Sequence, residues 1–274
     1  MDLGLNGKRI VVTGGSKGIG YAIAQEFLKE GAHVVISGRN KSDLESAVKS
    51  LVVSDGRGSI QGFALDGSRE SEMQELGRLA AETTGAIDVW INNIGTNKAR
   101  AGELYTEAEL DYLISACFKS TVFGSQAAFT YMKEKGGSIV NIASLAARSA
   151  TCGRSTIYGA LKSAIVGLTN TTAGEYAAYG IRVNAVLPGY TRTPLVAGSF
   201  SEEALNKLLE NNLLGRMANP EEIAKPVVFL ASNAASYITA AHLEVSGGHN
   251  TVLNPQYSFE KRRAEENSGI VMLN

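Results

Sequence analysis

Cysteine and histidine are scarce in this sequence, and their spacing argues against several kinds of site. The chain of 274 residues has two cysteines, Cys117 and Cys152, and three histidines. No CxxC or HExxH spacing occurs, so the sequence gives no support to a zinc site or to metal catalysis. Two cysteines are also too few for a disulfide framework. We therefore expect a reducing compartment such as the cytoplasm.

An excess of one charge and long apolar runs are also missing. Lysine and arginine number 26 against 27 aspartates and glutamates, which gives a net charge of -1. This balance argues against nucleic acid or an anionic membrane surface as the main partner. No apolar stretch approaches the roughly 20 residues that a membrane-spanning helix needs. The first residues lack the apolar core of a signal peptide, which again favours the cytoplasm.

Short β-branched runs alternate with longer helical patterns along the chain. The predicted strands are Arg9–Thr13, His33–Ser37, Ser59–Leu65, Asp88–Asn92, Ser138–Ala143, Arg182–Leu187 and Ala241–Val245. The predicted helices are about Gly18–Glu30, Lys41–Val53, Glu70–Thr84, Glu107–Lys135, Ser155–Tyr179 and Pro220–Ser232. Near-continuous apolar strands are typical of parallel sheets that are covered on both faces. The alternation predicts an α/β fold with a doubly wound, seven-stranded parallel sheet.

No linker, repeat or low-complexity tract divides the chain, so we predict a single domain over residues 1–248. Residues 189–219 interrupt the alternation after the sixth strand and include a short helix that begins near Ser201. An insertion at that place suggests a lid over a ligand crevice. Residues 249–274 form a C-terminal extension with a helical patch around Ser258–Glu266. This extension either frays or packs on a neighbouring subunit.

A glycine-rich turn joins the first predicted strand to the first predicted helix. Its candidate cofactor-binding residues are Gly14, Ser16, Lys17, Gly18, Ile19 and Gly20. Glycines let the backbone approach a pyrophosphate closely, and the free N–H groups of the helix face the anion. Glycines also make purely structural turns. The position between a strand and a helix favours dinucleotide binding.

The end of the second strand indicates which dinucleotide is bound. A carboxylate there would bind the ribose hydroxyls of NAD, but the sequence has Gly38, Arg39 and Asn40. A guanidinium at this position can pair with the 2′-phosphate of NADP(H). Lys17 offers a second cation. The alternative is that both are ordinary surface charges, but their joint occurrence favours NADP(H).

Three residues form the candidate catalytic group. Tyr158 and Lys162 are four apart in a predicted helix, so their side chains share a face. A neighbouring ammonium lowers the pKa of a phenol, which then serves as a general acid and base. Ser144, at the end of the fifth strand, can hold the oxygen of a substrate by a hydrogen bond.

These motifs resemble the short-chain dehydrogenase/reductase family, classical type, over about residues 7–248. The resemblance rests on Thr-Gly-x-x-x-Gly-x-Gly at 13–20, Asn-Asn-Ile-Gly at 92–95, the serine, tyrosine and lysine, and Arg182-Val183-Asn184. It implies a Rossmann-type fold with helices on both faces of the sheet. It also implies a homotetramer through the two longest helices. The further cofactor contacts that it implies are Asp66, Asn93, Gly95, Tyr158, Lys162, Pro188, Gly189, Thr191 and Thr193.

The sequence departs from the family pattern at three places. Cys117 stands where the family usually has an asparagine that completes a catalytic tetrad. Fourteen positions separate Ser144 from Tyr158, so we expect the loop Cys152–Thr156 to bulge beside the substrate. Ser246 replaces the usual aspartate before two glycines, which would alter subunit contacts.

The resemblance predicts an NADP(H)-dependent enzyme that moves a hydride between nicotinamide and a ketone or secondary alcohol. The expected pocket walls, Leu145, Cys152, Tyr190 and Leu195–Phe200, lean apolar. A ring ketone, a hydroxylated secondary-metabolite intermediate and a 3-oxoacyl thioester are all compatible. The alternative is a cofactor-sensing or scaffold subunit with weak redox activity, which Cys117 would favour and the intact serine, tyrosine and lysine oppose.

Overall fold

The computed structural model describes residues 2–51, 53, 57–97, 105–149, 156–194, 196 and 201–267. Its seven strands form one parallel sheet in the order β3-β2-β1-β4-β5-β6-β7. They are β1 Arg9–Val12, β2 His33–Gly38, β3 Ser59–Ala64, β4 Val89–Asn92, β5 Gly137–Ile142, β6 Ile181–Pro188 and β7 His242–Val245. The predicted seven-stranded, doubly wound α/β fold is confirmed. The strand order reverses between β1 and β4, where open α/β sheets bind ligands.

Helices cover both faces of the sheet. They are α1 Gly18–Lys29, α2 Lys41–Ser50, α3 Glu70–Thr84, α4 Glu107–Ile114, α5 Ser120–Met132, α6 Thr156–Tyr176, α7 Glu202–Leu209, α8 Pro220–Ala231 and α9 Tyr257–Asn267. The apolar sides of α1, α2 and α8 pack with β1 and β2 on one face. Those of α3, α5 and α6 pack around Trp90 on the other face. Because the central strands are buried from both sides, they consist almost wholly of apolar residues.

The predicted helix Glu107–Lys135 is not continuous. A π-helical turn, Ser115–Lys119, separates α4 from α5, and α5 ends at Met132. The prediction was wrong here because one extra residue in a turn hardly disturbs the apolar pattern on which it relied. The predicted helix Lys41–Val53 also ends earlier, at Ser50.

The two segments outside the alternation have helices where the sequence predicts them. Helix α7 begins after Ser201, whose hydroxyl accepts a hydrogen bond from the backbone N–H of Ala204 at 3.2 Å. Helix α9 overlaps the predicted patch, and all of its residues are exposed. Residues 152–155 of the predicted loop Cys152–Thr156 lie outside the described residues, as does most of the segment Leu195–Phe200, whereas Thr156 begins α6. In the part of the chain that is described, no helix is long and apolar enough to cross a membrane.

Candidate active site

A cavity of about 1130 Å³ opens at the carboxyl edge of the sheet. All of the predicted catalytic and cofactor-binding residues except Gly20 lie on its wall: Gly14, Ser16, Lys17, Gly18, Ile19, Gly38, Arg39, Asn40, Asp66, Asn93, Gly95, Ser144, Tyr158, Lys162, Pro188, Gly189, Thr191 and Thr193. The loops that follow β1, β2, β4, β5 and β6 therefore meet in one crevice. Its position agrees with the reversal of strand order in the sheet.

The glycine-rich turn forms one end of this cavity. Gly14 and Gly18 have left-handed backbones, with φ of 66° and 58°. The side-chain amide of Asn93 donates to the carbonyl oxygens of Thr13 and Gly14, at 3.2 and 3.0 Å, and so braces the turn from β4. Gly20 does not line the cavity. A Cβ atom there would collide with the carbonyl oxygen of Gly14, so Gly20 lets the helix pack against the turn.

The N-terminus of α1 is open to an anion. Lys17 is the residue before the helix, and its side chain caps no backbone N–H group. The first turn of α1 also contains no acidic residue. Unpaired N–H groups and the positive end of the helix dipole favour a negative charge at this place. These features fit the pyrophosphate of a dinucleotide.

Charged side chains gather at the end of β2. Burial opposes the ionisation of Asp66, but hydrogen bonds from Ser68 and the charge of Arg39 outweigh it and lower the pKa of Asp66. The ammonium of Lys17 pairs with the carboxylate of Asp43 at 2.6 Å. Asp43 thus offsets one of the two cations that the sequence singled out. Arg39 is the principal candidate for contact with a 2′-phosphate.

Asn40, which follows β2, has a structural role as the N-cap of helix α2. Its side-chain oxygen accepts a hydrogen bond from the backbone N–H of Asp43 at 3.1 Å and caps helix α2. The hydroxyl of Ser42 donates to the same oxygen at 2.8 Å. Asn40 therefore positions α2 beside the cavity, and its amide N–H group is the part left for a ligand.

Tyr158 and Ser144 meet on the cavity wall. Their side chains lie close enough to interact, and the hydroxyl of Ser144 lowers the pKa of Tyr158. Burial has the larger effect and raises that pKa to about 12. Ser144 begins a short 3₁₀ helix, in which its hydroxyl oxygen accepts the backbone N–H of Ala146 at 3.1 Å. The phenol is therefore protonated at neutral pH when the site contains no cofactor.

Lys162 lies next to this pair and is almost completely buried. Its ammonium donates a hydrogen bond to the carbonyl oxygen of Ile142 at 2.7 Å and lies 5.6 Å from the centre of the Tyr158 ring. Burial lowers its pKa to about 8. Gly95 gives it room, because a Cβ atom at that position would lie 3.3 Å from the ammonium nitrogen.

The loop after β6 also lines the cavity. Thr191 is buried, and its hydroxyl donates to the carbonyl oxygen of Gly189 at 3.1 Å. Thr193 lies against Gly18, where a Cβ atom would be 3.3 Å from its methyl group. The loop after β6 is thus in contact with the glycine-rich turn.

Comparison with known proteins agrees with this geometry. Residues 14–250 match the family model described as enoyl-(acyl carrier protein) reductase. The chain belongs to the short-chain dehydrogenase/reductase family. A 3-oxoacyl-(acyl-carrier-protein) reductase of Chlamydia pneumoniae is 34% identical over 250 residues, which cover 90% of this chain and 99% of the relative. A 3alpha-hydroxysteroid dehydrogenase of Mediterraneibacter gnavus is 33% identical over 251 residues, covering 90% and 98%.

Solved structures of the family have the same fold. A short-chain type dehydrogenase/reductase from Mycobacterium marinum superposes with a TM-score of 0.83 at 29% identity, and the match covers 89% of this chain and 96% of that one. The chain is therefore an oxidoreductase of this family, which uses a nicotinamide cofactor.

Cys117 is the first of the departures from the short-chain dehydrogenase/reductase pattern. It lies fully buried in the π-helical turn. Its thiol donates to the carbonyl oxygen of Thr96 at 3.0 Å and accepts the N–H of the same residue at 3.4 Å. Cys117 therefore holds the segment that follows β4, which includes Gly95 and Thr96, against the helix that the π-helical turn interrupts. This is a structural contact that a buried asparagine could also make.

Ser246 is another departure, and its hydroxyl contacts a neighbouring acid. The Ser246 hydroxyl donates to the carboxylate of Glu244 at 2.6 Å. Glu244 in turn lies 3.8 Å from the guanidinium of Arg148. A serine and a glutamate two residues apart thus bring a carboxylate to this turn.

Sequence reasoning missed several residues that line the cavity. They are Asp43, Leu65, Thr96, Asn97, Tyr112, Ser115, His249 and Asn250, among others. His249 and Asn250 follow the last predicted strand, and no motif distinguishes them. Of the expected pocket walls, Leu145 and Tyr190 line the cavity, as does Val196. No group of three or more potential metal ligands occurs within the described ranges.

Proposed function

We propose that this oxidoreductase uses NADP(H) and transfers a hydride between nicotinamide and a ketone or secondary alcohol, with Tyr158 as the general acid and base. One observation carries the proposal. Tyr158 lies beside Ser144 and the buried Lys162, and all three residues line the cavity that the glycine-rich turn also lines. A dinucleotide that spans this cavity would bring its reactive end to the tyrosine.

The protein's own residues bind the oxygen of the substrate and transfer its proton. Ser144 and Tyr158 both offer hydroxyl groups to the oxygen of a ketone and hold the carbonyl at the cavity wall. As the carbonyl carbon is reduced, Tyr158 donates its proton to the forming alkoxide. In the reverse reaction the phenolate removes the proton from the alcohol, and the positive charge of Lys162 stabilises that phenolate. NADPH, when bound, supplies the hydride.

The charge pattern at the end of β2 supports NADP(H) rather than NAD(H). Gly38 leaves no carboxylate for the ribose hydroxyls, and Arg39 on the cavity wall offers a planar guanidinium. The carboxylate of Asp43, which lines the cavity too, is neutralised by Lys17. The 2′-phosphate would lie among Arg39, Lys17 and the amide of Asn40. The remaining predicted residues would bind the pyrophosphate, ribose and nicotinamide.

The relatives support a carbonyl compound as substrate. One is named for a 3-oxoacyl thioester and another for a hydroxysteroid, and both names describe oxygen on a secondary carbon. The cavity has room for either a chain or a ring. A cofactor-sensing subunit is disfavoured, because a sensor does not need the buried Lys162 beside a tyrosine.

The consumption of NADPH tests the proposal directly. We would follow its absorbance with a panel of cyclic ketones, 3-oxoacyl esters and keto-sugars. Tyr158→Phe should reduce kcat by roughly 10²–10⁴-fold, the usual size of a general acid contribution, while NADPH still binds. Tyr237→Phe is the matched control, since Tyr237 is fully exposed, and it should keep wild-type activity. Tight NADPH binding without turnover on any substrate would overturn the proposal in favour of sensing.

We also propose a homotetramer that assembles through α5 and α6. Helix α6 carries the exposed Gly167 and Gly174, where a Cβ atom would meet nothing within 4 Å, and helix α5 exposes the polar residues Gln126 and Thr130. Small residues allow two helices to approach closely. Analytical sedimentation should give four times the chain mass of 28.9 kDa. A species that sediments with the mass of one chain would contradict the tetramer.

A further inference from the structure

A histidine on the cavity wall has no role in the proposed reaction. His249 is 5% exposed and lines the cavity that contains Ser144 and Tyr158. Its Nδ1 atom is buried and has no hydrogen-bond partner among the residues that the structure describes. A buried polar atom without a partner is costly, so such atoms usually have a ligand or a water as partner.

The backbone around His249 is held firmly. Gly247 and Gly248 both have left-handed backbones, with φ of 67° and 72°. The backbone N–H of His249 donates to the Ser246 hydroxyl at 3.3 Å. The amide of the buried Asn212 donates to the Ser246 carbonyl oxygen at 2.8 Å. The imidazole is therefore presented by a turn with little freedom to move.

The ring itself is placed by an aromatic contact. Tyr190 follows directly after Pro188-Gly189, and its ring meets the imidazole edge to face, with centroids 5.3 Å apart. The backbone N–H of the next residue, Asn250, donates to the carbonyl oxygen of Asn211, which follows helix α7, at 3.0 Å. His249 thus lies where the ends of β6 and β7 meet the segment that carries α7. The glycine-rich turn lies on another part of the cavity wall.

The chemistry of the ring limits what it can bind. Burial lowers the pKa of His249, and this effect outweighs the opposing charge of Glu244. At neutral pH the ring is therefore uncharged, with one N–H donor and one acceptor nitrogen. Rotation of the ring about its last torsion exchanges nitrogen and carbon positions at little cost, so a nitrogen can face the cavity. Such a ring suits a neutral oxygen group better than a carboxylate or phosphate.

We propose that His249 is a substrate-binding residue that forms a hydrogen bond with a second, neutral oxygen of the substrate, a hydroxyl or a second carbonyl. This inference rests on the proposed function, because Ser144 and Tyr158 hold the reacting oxygen. It narrows the substrate to an oxygenated ketone or the corresponding diol. A plain hydrocarbon ketone would leave the imidazole without a partner.

The test compares substrates that differ by one hydroxyl group. Cyclohexanone and its 2-, 3- and 4-hydroxy derivatives would be assayed with NADPH, and kcat/KM determined for each. The wild type should prefer at least one hydroxyketone by roughly tenfold or more, as expected when a buried polar group gains a partner. His249→Phe fills a similar volume without hydrogen bonding and should abolish the preference. Its rate with cyclohexanone should stay within about threefold of the wild type.

Two further variants and one binding measurement separate a specific role from a structural one. His249→Asn and His249→Gln retain a side-chain amide, and one of them should restore part of the preference. The dissociation constant of NADPH should be unchanged in all three variants. An equal loss of kcat/KM with cyclohexanone and with the hydroxyketones would show a structural role and overturn the inference. Weaker NADPH binding would show a cofactor role and overturn it as well.

The outcomes also separate this inference from the proposed function. A wild type that reduces cyclohexanone and its derivatives equally overturns the role of His249 and leaves the reductase intact. A wild type that reduces neither these ketones nor any substrate of the wider panel, in the same way as Tyr158→Phe, overturns both. Identical preference in the wild type and His249→Phe also rejects the substrate contact.

Discussion

The ammonium of Lys162 lies 2.7 Å from the carbonyl oxygen of Ile142, the last residue of β5. This bond ties helix α6 to the strand that leads into Ser144. The three candidate catalytic residues are therefore positioned by one helix and one strand rather than by mobile loops. Rigid elements hold reacting groups more accurately than loops do. The same bond gives the buried ammonium a partner.

The pH dependence of reduction should follow Lys162. Burial holds the pKa of Tyr158 at about 12, so the phenol remains protonated through the neutral range. The pKa of Lys162 is about 8, so its charge is lost above that pH. We expect kcat/KM for reduction to be flat below about pH 8 and to fall above it, because this parameter reports the free enzyme. Rates measured between pH 6 and pH 10 check this.

A substitution distinguishes Lys162 from other groups that titrate in this range. Lys162→Arg keeps its charge above pH 12 and should lose the alkaline decline, even if its rate is lower throughout. If kcat/KM of this variant still declines above about pH 8, a group other than Lys162 causes the decline.

Protein stability should change with pH through the same group. Between pH 8 and about 10.5 the unfolded chain binds a proton at Lys162 that the folded chain does not. The free energy of unfolding therefore increases as the pH rises from 8 to about 10.5. This added stability is lost again as the pH falls through that range to 8. Urea unfolding should show this increase in the wild type and not in Lys162→Met. Parallel pH profiles for the two proteins would contradict the assignment.

Cofactor choice should depend on Arg39. Removal of a charge-assisted hydrogen bond costs about 1.5–3 kcal/mol, so Arg39→Ala should weaken NADPH binding roughly 10- to 150-fold. Binding of NADH should hardly change, because it has no 2′-phosphate. Titration of protein fluorescence with each cofactor measures both constants. Lys41→Ala is the matched control, since Lys41 is an exposed cation two residues further along. Equal losses for NADPH and NADH in Arg39→Ala would refute a phosphate contact.

The thiol of Cys117 should contribute to stability. Cys117→Ala leaves both backbone groups of Thr96 without their sulfur partner and should cost about 1–3 kcal/mol in the free energy of unfolding. Cys117→Ser keeps a donor and an acceptor at the same position and should cost less. Chemical denaturation of the three proteins checks the order. If alanine and serine are equally stable, the contacts with Thr96 contribute nothing.

The local patterns in the sequence were sufficient to predict most of the residues that form the candidate site. The glycine-rich turn and the Tyr158–Lys162 spacing each lie within a few residues, and helix geometry alone determines which face they share. Ser144 and Asn93 follow strands of a parallel sheet, so their meeting at one edge follows from the topology. This is why a single cavity gathers nearly all of the predicted residues.

The features that the sequence did not predict depend on contacts between distant segments. The pairing of Lys17 with Asp43 joins the turn after β1 to helix α2. His249 faces the cavity only because two left-handed glycines redirect the chain after β7. The π-helical turn at Ser115–Lys119 changes the period by one residue, which no apolar pattern reveals. Such contacts arise from tertiary packing, which residue spacing does not contain.

The reversal of strand order also determines when the site can form during folding. Strand β1 pairs with β4, so that Ile10 lies beside Val89, far along the chain. Asn93 cannot brace the glycine-rich turn until this long loop has closed, and pairing of distant segments is slow. After dilution from denaturant, we expect helical structure to return before the protein can bind its nicotinamide cofactor. We therefore expect cofactor binding to be one of the last steps in the folding of each new chain.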